Sequence, residues 1–333
     1  MKIAVLATLK EDAPISPEEP PGRWDDLDDR KTVDAILASL RGFGFETEYF
    51  PTGPSLAQNL QEYAPDLCFN TGEGHYGASR ESQTPAILDM LRIPYTGAGV
   101  LGMSLSHNKH IAKKIFRFSG LPTAGFTVIT DPGRINDTDL RYPLFVKPAH
   151  EGSSIGINDH ALVHTRSELE RQVEWVWNTV HSPVLVEEYI QGREFTIGVI
   201  GNDPLPVVEV VSPTGFYSNR LKESENSGVY RLCPAPLPEE KTAELQNLAV
   251  RAMRALELFD WCRMDVRMDG NGQPFILEVN PMPLIYPDPE QASFLFAARA
   301  TGLTYAEMIN KIVLSAIYRL GLPIPVPLTA LVF

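Results

Sequence analysis

Residues 261–281, WCRMDVRMDGNGQPFILEVNP, leave the chain few ways to fold. Cys262, Met264, Val266 and Met268 alternate with Arg263, Asp265 and Arg267, the two-residue period of a strand buried on one face. Asp269-Gly270-Asn271-Gly272 is a turn signal. Beyond it a second alternation sets Phe275, Leu277 and Val279 on one face and Ile276, Glu278 and Asn280 on the other. The pattern predicts an antiparallel hairpin that brings Asp265 within ~5–8 Å of Glu278 and Asn280. Two carboxylates and an amide oxygen are hard donors that suit Mg2+, which keeps water and phosphate oxygens in its remaining positions. A solvated hairpin face also alternates in this way. The concurrence of Arg263, Asp265, Glu278 and Asn280 favours a metal site serving nucleotide chemistry.

Upstream, the first hundred residues alternate strand and helix, with strands expected at 3–6, 47–50 and 67–69 and a helix at 32–40. This βαβ order predicts a parallel sheet. Residues 11–29, EDAPISPEEPPGRWDDLDD, are rich in proline and acid and read either as a mobile surface excursion or as a loop folding over a site. A helix from about Asn108 carries Ile111, Ile115 and Phe116 on one side and leads into a strand-rich segment from about residue 120. Ser167 and Glu170 read as a capping box for the helix bearing Leu169, Val173 and Trp177. Strands are expected at 184–186, 195–200 and 207–211, then a polar loop over 212–230 and helices over about 240–256 and 305–320.

The strand YPLFVKPA ends at Lys147 and is followed by HEGSSIGIN, small residues that can turn several backbone N–H groups toward an anion. No GxxxxGK[ST] occurs, which disfavours a P-loop NTPase. Two GxGxxG matches, at 72–77 and 97–102, are weak signals because neither follows the first strand. His107 and His110 lack a third ligand and read as a solvated pair. The 333 residues, 44% hydrophobic, are enough for two or three domains with a cleft between them. A formal charge of -13 provides no basic field for nucleic acid, so a polyphosphate must be held by local cations. Three cysteines far apart, Cys68, Cys233 and Cys262, argue for a reducing compartment. The opening apolar run is short for a signal peptide, and no stretch approaches the ~18 apolar residues of a membrane span. A cytoplasmic protein with no membrane or nucleic-acid partner is expected.

Taken in order, these segments resemble the D-alanine:D-alanine ligase family of ATP-grasp enzymes over nearly the whole chain. FNTGEGHYGASRESQTPAILDMLRIPYTGAGVLGMSLSHNK is similar to that family's substrate loop and entry to its central domain, and FVKPAHEGSSIGI to its glycine-rich loop. VLVEEYIQGREFT is similar to its adenine and ribose strand, and CRMDV with FILEVNPMP to its metal strands. The resemblance implies an α/β (α+β) ATP-grasp fold: an N-terminal parallel-sheet domain (1–104), a central lid domain (105–190) and a C-terminal catalytic domain (191–333). It implies ATP and two Mg2+ ions, with Mn2+ as a substitute, and small-molecule carboxylate and amine substrates joined through an acylphosphate. Lys109 and Lys147 would meet the nucleotide, with Glu151, Ser153 and Ser154 in the phosphate loop and Glu187, Glu188, Ile190 and Glu194 along the adenosine. Lys222 resembles the lysine of a mobile loop that covers the phosphates, and with Ser154 and Arg263 it completes the implied catalytic set. Asp265, Glu278 and Asn280 would bind the metals, and Glu73, His75, Arg263 and Ser293 are the substrate candidates. A homodimer is also implied.

The departures from the family fall on the substrate side. The first strand leads into ATLKEDAPISPEEPP instead of a Gly-Gly segment with an ammonium-binding glutamate. Leu284 replaces a glycine after the Met-Pro pair, Pro287, Asp288, Pro289 and Glu290 are inserted ahead of Ser293, and Glu223 stands where the family has a tyrosine. The expectation is therefore a ligase for a different substrate pair, in specialised metabolism instead of cell-wall dipeptide synthesis. A nucleotide-binding homologue without turnover and a true D-alanine:D-alanine ligase are the alternatives.

Overall fold

The computed structural model describes residues 1–14, 22–135, 139–213, 215 and 228–323. In chain order its main elements are β1 (Lys2–Ala7), α1 (Arg30–Gly42), β2 (Glu46–Pro51), α2 (Leu56–Tyr63), β3 (Leu67–Thr71), α3 (Gln83–Leu91), α4 (Val100–His107) and α5 (Lys109–Phe118). Then come β4 (Phe126–Ile129), β5 (Leu144–Pro148), β6 (Leu162–Val163), α6 (Arg166–Val180), β7 (Val184–Glu188), β8 (Gly192–Ile200), β9 (Asp203–Pro204), β10 (Val208–Val211) and β11 (Tyr230–Leu232). The chain continues through α7 (Glu239–Ala255), β12 (Trp261–Asp269), β13 (Pro274–Asn280), α8 (Ser293–Ala300) and α9 (Tyr305–Leu320).

The described residues form three sheets. The first is parallel, in the order β2-β1-β3, as the βαβ spacing predicts. The unbroken run Ile3–Ala7 is apolar because both faces of β1 are covered: Ile3, Val5 and Ala7 join one core and Ala4 and Leu6 another. The second sheet, β4-β7-β5-β6, is antiparallel and packs on α6. The third runs β11-β10-β8-β12-β13, with β9 beside β8. Its buried face meets α7 and α5 through Phe195, Met264 and Ile276. The core under the first sheet also takes in α8 and α9, so residues near both ends of the described chain share one apolar cluster.

The expected hairpin is β12 and β13, with Asp265 paired to Glu278 and Arg263 to Asn280. A register shift between Asp265 and Val266 pairs Val266 with Ile276 and leaves Leu277 as an extra residue. This corrects the strict alternation read from the sequence. Ile276 and Val279 are both buried, whereas Leu277, Glu278 and Asn280 face the cavity described below.

The capping box of α6 is also shifted from the expected residues. The N-cap is Thr165, whose side chain accepts from the Glu168 N–H, and Glu168 in turn accepts from the His164 N–H at 2.7 Å. Ser167 and Glu170 lie within the helix. A complete capping box opens α9, where Thr304 and Glu307 satisfy each other's backbone N–H groups. Thr304→Ala is expected to lower the unfolding free energy by about 1 kcal/mol, measured by urea titration.

Candidate active site

One cavity, enclosing about 300 Å³, is lined by the second and third sheets and, from the N-terminal part of the chain, by Asp26, Glu73 and Glu81, which lie outside the strands. One wall contributes Lys109, Lys147 and Glu187, and the hairpin contributes Arg263, Asp265 and Glu278. Each charge is met by an opposite one. Lys109 Nζ lies 3.0 Å from Glu278 and also donates to the Glu151 carbonyl at 2.5 Å, which ties the start of α5 to both the loop after β5 and the hairpin. Arg263 holds Asp265 through Nε at 2.9 Å and Nη2 at 2.7 Å, and Asn280 Nδ2 donates to the same carboxylate at 3.2 Å. Burial by itself pushes the Glu278 carboxyl up, but Lys109 and Lys147 outweigh it and hold the group at about 2. The hairpin therefore presents an ionised Glu278 beside the Asp265 carboxylate and the Asn280 amide.

That donor set fits Mg2+. Among the described residues no group of three His, Cys, Asp or Glu could hold a metal ion. Mg2+ can take two carboxylates from a protein and complete its shell with amide, water and phosphate oxygens.

Deeper in the wall, Glu187 is gripped between Lys147 at 2.6 Å and Lys113 at 2.8 Å, all three nearly removed from solvent. Lys113, which no motif singled out, also donates to Thr123 Oγ1 at 2.7 Å. Glu188, Ile190 and Glu194 line the cavity at the crossover from β7 to β8. Burial raises the Glu194 carboxyl to about 7, the lowering by Arg267 being the smaller effect. Arg267 donates to Glu194 at 3.1 Å and to the carbonyls of Ile190 and Gly192 at 2.8 and 2.9 Å, so a buried guanidinium shapes this crossover.

The loop after β5 has its own backbone signature. Ser153 and Ser154 adopt positive φ, 48° and 64°, an arrangement that turns consecutive backbone N–H groups to one side. Glu151, just ahead of them, is bound by Arg23 at 2.7 Å and by Arg80 at 3.0 Å. Through Arg23 and Asp26 part of residues 22–29 reaches the cavity, in keeping with the second reading for that part alone; residues 15–21 lie outside the described residues. Asp26, from the same stretch, reaches the cavity and pairs with Arg80.

Arg80 organises the N-terminal wall. It is 1% exposed and meets Asp26, Glu151 and, more distantly at 3.9 Å, Glu73. Burial raises the carboxyls of both Asp26 and Glu73, with neighbouring acids adding to the rise. His107 is not the solvated residue expected: it is 5% exposed, with Nδ1 2.7 Å from Glu81 and Nε2 3.2 Å from Arg80. His110 stands apart from it, its ring 5.6 Å from that of His150.

Of the substrate candidates, Glu73, Arg263 and Ser293 line the cavity. His75 is absent from that lining and packs edge-on against Trp24 at 5.4 Å. Ser293, at the start of α8, accepts a hydrogen bond from Arg231 Nε at 2.9 Å. Leu284 lines the cavity as well. Lys222 and Glu223 lie outside the described residues.

The family model described as D-ala D-ala ligase C-terminus matches residues 115–314. A D-alanine--D-alanine ligase of Syntrophotalea carbinolica is 36% identical over 290 residues, covering 87% of this chain and 91% of that protein. An uncharacterized protein, y4sG, of Sinorhizobium fredii is 32% identical over 308 residues, covering 88% of this chain and 89% of its own length. The fold is similar to the crystal structure of D-alanine--D-alanine ligase from Bacillus anthracis complexed with ATP, with a TM-score of 0.74 at 23% identity over 96% of this chain and 98% of that one. The family model and the extended identity together place the chain: it belongs to the D-alanine--D-alanine ligase family.

Proposed function

We propose that this protein is an ATP-dependent ligase that phosphorylates a substrate carboxylate to an acylphosphate and joins it to an amine, releasing ADP and phosphate. The observation that carries the reading is the convergence in one cavity of Lys109, Lys147, Arg263, Asp265, Glu278 and Asn280, drawn from the start of α5, from β5 of the second sheet and from the hairpin of the third. In this reading the phosphate loop at Ser153 and Ser154 receives the phosphates through backbone N–H groups, while Lys109 and Lys147 offset their charge. Glu187, Glu188, Ile190 and Glu194 face the adenosine. Asp265, Glu278 and Asn280 would hold Mg2+, which when bound neutralises phosphate charge and orients the γ-phosphoryl group. Arg263, paired with Asp265, would stabilise the transferred phosphoryl group and the acyl oxygen.

The substrate pair is the finer part of the proposal. Leu284 at the cavity wall, the inserted 287–290 segment and the Asp26–Arg80 network support a pair other than two D-alanines, in specialised metabolism. Domains at 1–104, 105–190 and 191–333, a cytoplasmic setting and a homodimer belong to the same reading. No helix among the described residues is long and apolar enough to cross a membrane.

The test is phosphate release from MgATP against D- and L-amino acids, short peptides and small carboxylates, with mass spectrometry of the products. A condensation product that requires a partner besides D-alanine is the expected result. Efficient D-alanyl-D-alanine synthesis from D-alanine alone would overturn the substrate assignment, and tight ATP binding with no turnover would overturn the ligase itself.

A further inference from the structure

We infer that Thr123, oriented by Lys113, is a positioning residue that holds the bulge of β13 and so aims Glu278 into the cavity; this rests on the metal set of the ligase reading above. Ile276 is buried in the core under the third sheet, and a strict two-residue period from it would send Glu278 to that same core. The extra residue at Leu277 resets the period, so that Glu278 faces the cavity and Val279 is buried in its place. The direction of the Glu278 carboxylate therefore depends on this one irregularity.

What holds the bulge comes from outside the hairpin. β13 ends the third sheet, and at Ile276 its outer edge is met by the segment that follows α5. The Ile276 N–H donates to the Pro122 carbonyl at 2.9 Å, and the Ile276 carbonyl accepts from Thr123 Oγ1 at 2.8 Å. Lys113 Nζ lies 2.7 Å from Thr123 Oγ1, and an ammonium can only donate. Thr123 therefore accepts from Lys113, and its single hydroxyl proton goes to Ile276. Lys113 Nζ also reaches Glu187 at 2.8 Å and the Ile276 carbonyl at 3.4 Å, which gives each of its three protons a partner.

The spacing along α5 adds a second hold. Lys109 and Lys113 are four residues apart and share one face of the helix. Lys109 pairs with Glu278 at 3.0 Å while Lys113 and Thr123 hold Ile276, so the hairpin is gripped on both sides of Leu277. The chain of contacts from Glu187 through Lys113 and Thr123 to Ile276 joins the wall assigned to adenosine with the strand assigned to the metal. Thr123 itself does not line the cavity, so it acts only through the backbone of β13.

The experiment measures Mn2+ binding to the full chain with a non-hydrolysable ATP analogue, read from the electron paramagnetic resonance signal of free Mn2+ and corrected for the analogue alone. Thr123→Val keeps the shape of the side chain and removes the hydroxyl; it is expected to weaken Mn2+ binding about tenfold, the scale of losing a group that orients a metal ligand. Thr123→Ser keeps the hydroxyl and should stay within about threefold of the wild type, as should the affinity of both variants for the analogue in EDTA. Mn2+ binding by Thr123→Val at the wild-type level overturns the inference. So does an equal loss in Thr123→Ser, or a loss of analogue affinity to match that of Mn2+ with a lowered unfolding temperature, which marks a merely structural residue. Glu278→Gln, measured alongside, separates the inference from the reading beneath it. Wild-type Mn2+ binding in Glu278→Gln removes the metal set and this inference together, whereas a loss there with none in Thr123→Val refutes the inference alone.

Discussion

Glu278→Gln is expected to reduce ATP turnover by about a hundredfold or more in a protein that still folds. The glutamine keeps the length and shape of the side chain, and the position faces a polar cavity instead of the core. The pairing of β12 with β13 is made by backbone groups and by the buried Val279 and Ile276, so nothing in it depends on the Glu278 charge. What is lost is the anion that Lys109 meets at 3.0 Å and that Lys109 and Lys147 together keep ionised down to a pH of about 2. Without it the hairpin offers one carboxylate, and Lys109 loses its carboxylate partner. Phosphate release at saturating Mg2+ and ATP measures the first effect, and thermal unfolding by circular dichroism measures the second. Near-normal turnover in the variant would remove Glu278 from the metal set and return the hairpin to an ordinary solvated face.

Much of this site was legible in the sequence because it is local. Asp265, Glu278 and Asn280 sit in two short alternating runs joined by a Gly-rich turn, and a period of two is readable without knowledge of the rest of the chain. The failures come where a single residue or a distant partner decides. One extra residue at Leu277 moved Ile276 to the core, which no periodicity count anticipates. Thr165 and Ser167 are both good caps with an acid three residues on, and only the backbone conformation distinguishes them. His107 reads as exposed in any window of sequence, yet it is buried because Arg80 and Glu81, more than twenty residues earlier, come to meet it. Arg80 itself carries no motif. It is legible only once Asp26, Glu73 and Glu151, from three parts of the chain, have been brought together.

The same long-range pairing sets the largest expected loss of stability. Glu187→Leu is expected to lower the unfolding free energy by about 3–5 kcal/mol, because it leaves the ammonium groups of Lys113 and Lys147 buried with their shared counter-ion gone. The side chains of Lys113 and Lys147 are 0% and 7% exposed, and that of Glu187 is 4% exposed, so water cannot replace the lost carboxylate. Adding Lys113→Met should recover part of the loss, since a non-polar chain of similar length removes one of the stranded charges. The sign of the pH dependence follows from the direction of the shift. Burial alone would raise the Glu187 carboxyl, but Lys113 and Lys147 pull it from the ordinary 4.5 to about 2. Its contribution is therefore fully present above pH 4.5 and lost as pH falls from there through about 2. Urea unfolding of the wild type and Glu187→Leu at pH 7, 5 and 3.5 should show the gap between them narrowing only at the lowest value. A gap that stays constant to pH 3.5 would mean that the lysines stabilise Glu187 no more in the folded chain than water does in the unfolded one.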